Sequence, residues 1–112
     1  MTTLSLQDYQ QQALRTARSF DEKDELFDLV LGLVGESGEV AEKFKKLIRD
    51  HNSDLTKLDR DDMAKELGDV LWYIAVLAEY LGLSLDDIGK NNLAKLASRQ
   101  KRGQLGGSGD DR

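Results

Sequence analysis

The chain has 112 residues, a formal net charge of −5, and is 39% hydrophobic and 33% charged. It is long enough for one domain with a modest core, too apolar for a disordered chain and too polar for a membrane protein. The acidic balance argues against a nucleic-acid binder that works by neutralising phosphates. With no cysteine and a single histidine, His51, the chain lacks disulfides, thiolate metal sites, a cysteine nucleophile and any site needing two histidines, so metal chemistry falls to carboxylates. The N-terminus carries neither the basic start nor the apolar stretch of a secretion signal, and no run approaches a membrane span. A cytoplasmic location with no membrane partner is the expectation.

In chain order, the absence of proline and the scarcity of strand-type alternation predict an all-α fold: a four-helix bundle with helices near residues 6–19, 24–49, 59–81 and 84–98. The second helix shows an apolar stripe through Leu26, Val30, Leu33, Val40, Phe44 and Leu47, and it ends among Lys43, Lys45, Lys46 and Arg49, where cations suit the helix dipole. The third repeats the pattern through Met63, Leu67, Val70, Ile74, Leu77 and Leu81, behind the capping or first-turn anions Asp59, Asp61 and Asp62. Between them the polar stretch 51–57 holds Asn52, Ser53 and Asp54, good turn formers, so the two long helices should pair as an antiparallel hairpin. Ser84, followed by Asp86 and Asp87, reads as the cap of the fourth helix. The helical domain is expected over 1–102 and a glycine-rich tail over 103–112. Residues 88–109 contain no acid but hold Lys90, Lys95, Arg99, Lys101 and Arg102, which make either an anion-binding edge or a dipole-favoured helix end.

The most informative feature is a repeated phrase, Glu36-Ser37-Gly38-Glu39-Val40 on the second helix and Glu66-Leu67-Gly68-Asp69-Val70 on the third. Residues three apart share a helix face, so each helix offers a pair of carboxylates, and an antiparallel hairpin can bring the pairs together. At ~100° per residue, Glu66 lies ~40° and Asp69 ~100° from the stripe centre at Val70, while Glu36 lies ~60° and Glu39 ~120° from Leu33. The acids therefore straddle the edge of the core, where unpaired carboxylates repel and lose hydration, and where an all-oxygen ligand set suits Mg²⁺, with Mn²⁺ as a substitute. Each pair encloses a glycine, Gly38 or Gly68, and Gly32 and Gly35 precede the first. A helical glycine costs about 1 kcal/mol against alanine, so something must come close, either a packed helix or a ligand.

Glu36-x-x-Glu39, twenty-six intervening residues and Glu66-x-x-Asp69, set in Gly-Leu-Val-Gly-Glu-Ser-Gly-Glu-Val-Ala-Glu and Lys-Glu-Leu-Gly-Asp-Val-Leu-Trp-Tyr, resemble the two signature segments of the MazG-like nucleoside triphosphate pyrophosphohydrolases. The resemblance implies Mg²⁺-dependent hydrolysis of nucleoside or deoxynucleoside triphosphates to the monophosphate and pyrophosphate, in nucleotide-pool control or house-cleaning. It further implies that Glu36, Glu39, Glu66 and Asp69 are metal ligands, with Glu42 in register to assist. Glu36 and Glu39 are then the candidate proton acceptors for the attacking water. It also implies a homodimer or homotetramer. Tyr73, one turn after Asp69, matches a tyrosine beside the nucleotide in dCTP pyrophosphatase-type relatives. Lys46 stands where those relatives place a tryptophan, a departure that counts against a pyrimidine-specific pocket. Lys95, Arg99 and Arg102 are candidate phosphate ligands; by composition the glycine-rich tail, with Arg112, is either a clamp that orders on substrate or a disposable end.

Two other readings compete. A non-catalytic helical dimerisation module would carry the same acids as a solvated face and use its apolar stripes for association. A di-iron carboxylate bundle needs a histidine three residues after its glutamates, and none of the paired acids has one.

Overall fold

The computed structural model describes residues 3–17, 23–103, 106, 107, 109 and 110. Among the described residues it is all-α, with four helices: α1 (Leu6–Ala13), α2 (Lys23–His51), α3 (Arg60–Tyr80) and α4 (Leu85–Arg102). No strand occurs among the described residues. Single 3₁₀ turns follow α1 (Leu14–Thr16) and precede α3 (Leu55–Lys57), so the first α-helix is shorter than its periodicity predicts; residues 18 and 19 of that expectation lie outside the described residues.

Side-chain caps set the boundaries. Ser5 and Asp8 form a reciprocal capping box on α1, with the Asp8 amide donating to Ser5 Oγ at 3.0 Å. Asp59 accepts from the Asp62 amide at 3.0 Å to start α3, and Ser84 accepts from the Asp87 amide at 3.3 Å to start α4, as the sequence predicts. Asn52 and Ser53 take positive φ (52° and 61°) and reverse the chain after α2. The α4 helix runs one turn past its predicted end because nothing breaks it before Gly103. There φ of 71° places a glycine in the left-handed region that terminates helices.

The α2–α3 hairpin is the main body. Its inner seam follows 3-4 spacing on both helices: Leu26, Leu29, Leu33, Glu36, Val40, Lys43 and Leu47 face Met63, Glu66, Val70, Tyr73, Leu77 and Tyr80, all buried or half-buried. The seam is rotated from the predicted stripe, for Val30, Phe44, Leu67 and Ile74 are exposed. Two acids and a lysine thus sit in an otherwise apolar seam, which is why apolar positions alone misplace its centre. The core gathers Ala13, Leu29, Ala75, Val76 and Leu85, with Tyr9, Trp72, Tyr73 and Tyr80 around them.

Helix α1 is pinned to the α3–α4 corner by a fully buried glutamine. Gln10 Nε2 donates to the Leu83 carbonyl (2.9 Å) and to Glu79 (3.2 Å), and its Oε1 accepts from the Leu85 amide (2.8 Å). Each hydrogen bond satisfies a group that would otherwise be buried unpaired. From that corner α4 leaves α3 at 104°. The Cα radius of gyration, 17.1 Å, exceeds the roughly 13 Å of a closed globule of this length. Large apolar side chains accordingly stay uncovered on α2, α3 and α4. No single helix among the described residues is long and apolar enough to cross a membrane.

Candidate metal centre and nucleotide cleft

The hairpin register brings the two acidic phrases together. Glu36, Glu66 and Asp69 each present a carboxylate oxygen within 4.8 Å of the others, the first two half-buried in the seam and the third exposed at its edge. Oxygens sharing a Mg²⁺ at about 2.1 Å lie roughly 3–4 Å apart, so small side-chain rotations close this set around an ion, and hard oxygen donors are what Mg²⁺ prefers. Electrostatics point the same way. Glu36 is raised above the usual carboxylate range by partial desolvation and then by the charges of Asp69, Glu66 and Glu39, with a hydrogen bond to the Glu66 carboxyl adding to the effect. Such crowding of like charge is relieved by a cation.

Part of that relief comes from Lys43, one of the cations assigned by sequence to the end of α2. Its ammonium group pairs with Asp62 and lies 3.6 Å from Glu66. Seven residues after Glu36 on the same seam, Lys43 is legible once the seam is drawn through the acids. Glu39 lies outside the converging trio, with its side chain exposed, yet close enough to Glu36 to raise that group's proton affinity. Glu42 is half-buried and also outside the trio.

The glycines divide. A Cβ on Gly32 would stand 2.2 Å from Tyr73 Cε1, so this glycine serves close packing. Gly35, Gly38 and Gly68 have nothing within 4 Å of such a Cβ. At these three positions packing among the described residues does not require glycine.

One turn along α3 from Asp69, a cleft of about 360 Å³ is lined by Thr16, Glu25, Asp28, Leu29, Trp72 and Tyr73. Trp72 Nε1 donates to Thr16 Oγ1 at 2.9 Å, and the Trp72 and Tyr73 rings meet edge to face with centroids 5.0 Å apart. Tyr73, which the family resemblance sets beside the nucleotide, lines this cleft. Thr16, Glu25 and Asp28 carry no sequence signal of their own and come to line the cleft only through the fold. Tyr9, from α1, is held above the usual phenol range by burial and by the charge of Asp69, which brings a third helix to the acids.

Lys46 lines a different cavity, about 200 Å³, at the hairpin turn with Lys43, His51, Lys57 and Asp62. The remaining basic candidates lie on α4. Lys95 Nζ is 3.0 Å from Asp110 Oδ1, and Arg99 is buried, its Nη2 donating to the Gly109 and Asp110 carbonyls. Arg102 Nε donates to Ser98 Oγ at 3.2 Å. Arg112 lies outside the described residues.

This arrangement, a helical hairpin with acids converging from both arms, defines the class. The MazG nucleotide pyrophosphohydrolase domain matches residues 21–103, and the chain belongs to that family. Members are generally metal-dependent, in keeping with the acidic cluster. The chain is also similar to the Gene 37 protein of Mycobacterium phage L5, with 50% identity over 84 residues that cover 75% of this chain and 74% of the phage protein. No solved structure matches.

Proposed function

We propose that the protein hydrolyses nucleoside or deoxynucleoside triphosphates to the monophosphate and pyrophosphate with Mg²⁺, in cytoplasmic nucleotide-pool control or house-cleaning. What supports this reading above all is the convergence of Glu36, Glu66 and Asp69 from two helices, within 4.8 Å. Bound there, Mg²⁺ neutralises phosphate charge and lowers the pKa of a coordinated water.

The chain's own groups do the rest. Glu36, Glu66 and Asp69 would hold the ion; Glu39, exposed beside them, would assist the ion and take the proton of the attacking water. Lys43 keeps Glu66 oriented. The cleft between Trp72, Tyr73 and Thr16 receives the nucleoside, and its aromatic walls exclude water from one side. A pyrophosphate-release screen over the common nucleoside and deoxynucleoside triphosphates, with Mg²⁺ and with EDTA, tests the reading; no release from any of them overturns it.

The working unit in this reading is a homo-oligomer. Phe27, Leu31, Val34 and Ile48 are exposed on α2 at heptad spacing, with the small residues Gly38 and Ala41 between them, a surface suited to close helix packing by a second copy.

A further inference from the structure

Two cations of α4, one turn apart, share a single anion supplied by the tail. Lys95 Nζ lies 3.0 Å and Arg99 Nη2 3.4 Å from the same oxygen, Asp110 Oδ1. The partners differ sharply in burial. The Arg99 side chain is 4% exposed and the Asp110 side chain 84%, so a solvated carboxylate rests on a buried guanidinium.

That guanidinium is only half used on the edge facing the tail. Nη2 has three oxygen partners, the Gly109 and Asp110 carbonyls and Asp110 Oδ1, whereas Nε is buried and has no acceptor among the described residues. Nε–H and Nη2–H form the side-on edge of arginine that grips two oxygens of one oxyanion at once. Asp110 gives its Oδ1 to Nη2 and Lys95 and leaves Nε without an acceptor. A tetrahedral phosphoryl group has an oxygen for each of Nε, Nη2 and Lys95 Nζ. The pocket therefore matches a phosphate better than the carboxylate that fills it.

We infer that Lys95 and Arg99 form a phosphoryl-oxyanion site and that Asp110 is its tethered occupant, displaced when a phosphate ligand binds. The tail then acts as a built-in competitor: it shields the cations while no phosphate is present and raises the concentration of ligand needed to enter. The lowered proton affinity of Asp110, caused first by the Lys95 hydrogen bond and then by its charge and by Arg99, is the counterpart of that occupancy. Only the effect on turnover rests on the pyrophosphohydrolase reading, because the site can be probed by binding alone.

The experiment is calorimetric titration of the full chain in EDTA with inorganic pyrophosphate and, separately, with an α,β-methylene nucleoside triphosphate. Asp110→Asn is expected to tighten binding of at least one by about two- to fivefold, the span of an exposed ion pair removed as competitor. Lys95→Met should weaken it, and the Arg99 Nε–H resonance should move downfield as Nε gains an acceptor. Tighter binding of the nucleotide assigns the site to substrate; equal or tighter binding of pyrophosphate assigns it to the leaving group. If Asp110 merely latches the tail, Asp110→Asn leaves binding unchanged or weakens it, and either result overturns the inference. Pyrophosphate binding that responds to Asp110→Asn in a protein inactive on every triphosphate would instead sink the catalytic reading and keep the site. Asp110 and Lys95 are partly or largely exposed, so their variants keep the test independent of any folding defect at Arg99.

Discussion

The ring of Tyr73 occupies the space that a side chain on Gly32 would need. An added Cβ would meet Cε1 at 2.2 Å, Cζ at 2.5 Å and Oη at 2.8 Å. Tyr73 lines the cleft and packs edge to face on Trp72, so its ring can yield to an added Cβ only by giving up part of that packing. Gly32→Ala should destabilise the protein by about 1–3 kcal/mol through overpacking, offset in part by the roughly 1 kcal/mol that alanine gains in a helix. Gly38→Ala, with no atom within 4 Å, should leave stability unchanged or raise it by up to about 1 kcal/mol in a monomeric state. Denaturant melts of the two variants side by side check the contrast; equal effects would mean that the Tyr73 contact is not the constraint.

At the acidic cluster, Glu66→Gln and Asp69→Asn should abolish pyrophosphate release and weaken Mg²⁺ binding, with the helical circular dichroism unchanged. Each amide keeps the shape and removes a charge. Glu39→Gln should lower turnover far more than metal affinity, because Glu39 lies outside the trio that would hold the ion. Near-normal turnover of any of the three at saturating Mg²⁺ removes that residue from the machinery.

The cluster also makes a pH-dependent mark on stability. Glu36 is raised above its ordinary value of 4.5 by desolvation first and then by Asp69, Glu66 and Glu39. A carboxyl raised on folding contributes stability that is fully present below its unfolded value and lost as pH rises through its folded value. In EDTA, then, Glu36→Gln should gain on the wild type as pH climbs from 4.5 and hold a constant lead once Glu36 is fully ionised. Saturating Mg²⁺ should erase that lead. Thermal melts over this range, with and without metal, decide it; a gap that ignores pH contradicts the origin of the shift.

On the outer face of α2, Leu31 and Val34 are about two-thirds exposed. Leu31→Glu or Val34→Glu should reduce the mass measured by light scattering from an oligomer to a single chain, since charge at a helix interface is strongly disfavoured once buried. A wild-type mass already equal to one chain, with full activity, would refute the oligomeric unit.

Much of this was legible from residue order. Caps at Asp59 and Ser84, the turn at Asn52 and Ser53, and two paired acids with a spacing that suits an antiparallel hairpin are local signals with local causes. What could not be read was set by packing across distance. The seam runs through Glu36, Lys43 and Glu66, charged residues that a search for apolar periodicity passes over. Thr16, Glu25 and Asp28 reach the cleft because α1 and the start of α2 fold against Trp72 and Tyr73, and Asp110 meets Lys95 because the tail turns back. Glu39 shows the limit of spacing: Glu66 and Asp69, three apart, both join the trio, whereas Glu39, at the same spacing from Glu36, is exposed and stays outside it.

The clasp made by Gln10 sets an order of assembly. Helices α2 and α3 are joined by a short turn, so their pairing closes a small loop and needs little chain entropy. Gln10, by contrast, bonds to Leu83 and Leu85, 73 and 75 residues away, and its acceptor and donor there exist in the right place only after the α3–α4 corner has formed. Helix α1 is therefore expected to dock last on refolding and to open first, which native-state hydrogen exchange of its amides checks. With it goes Tyr9, the side chain through which α1 reaches Asp69. The acidic centre can therefore lose one wall through a local opening that leaves the α2–α3 hairpin standing.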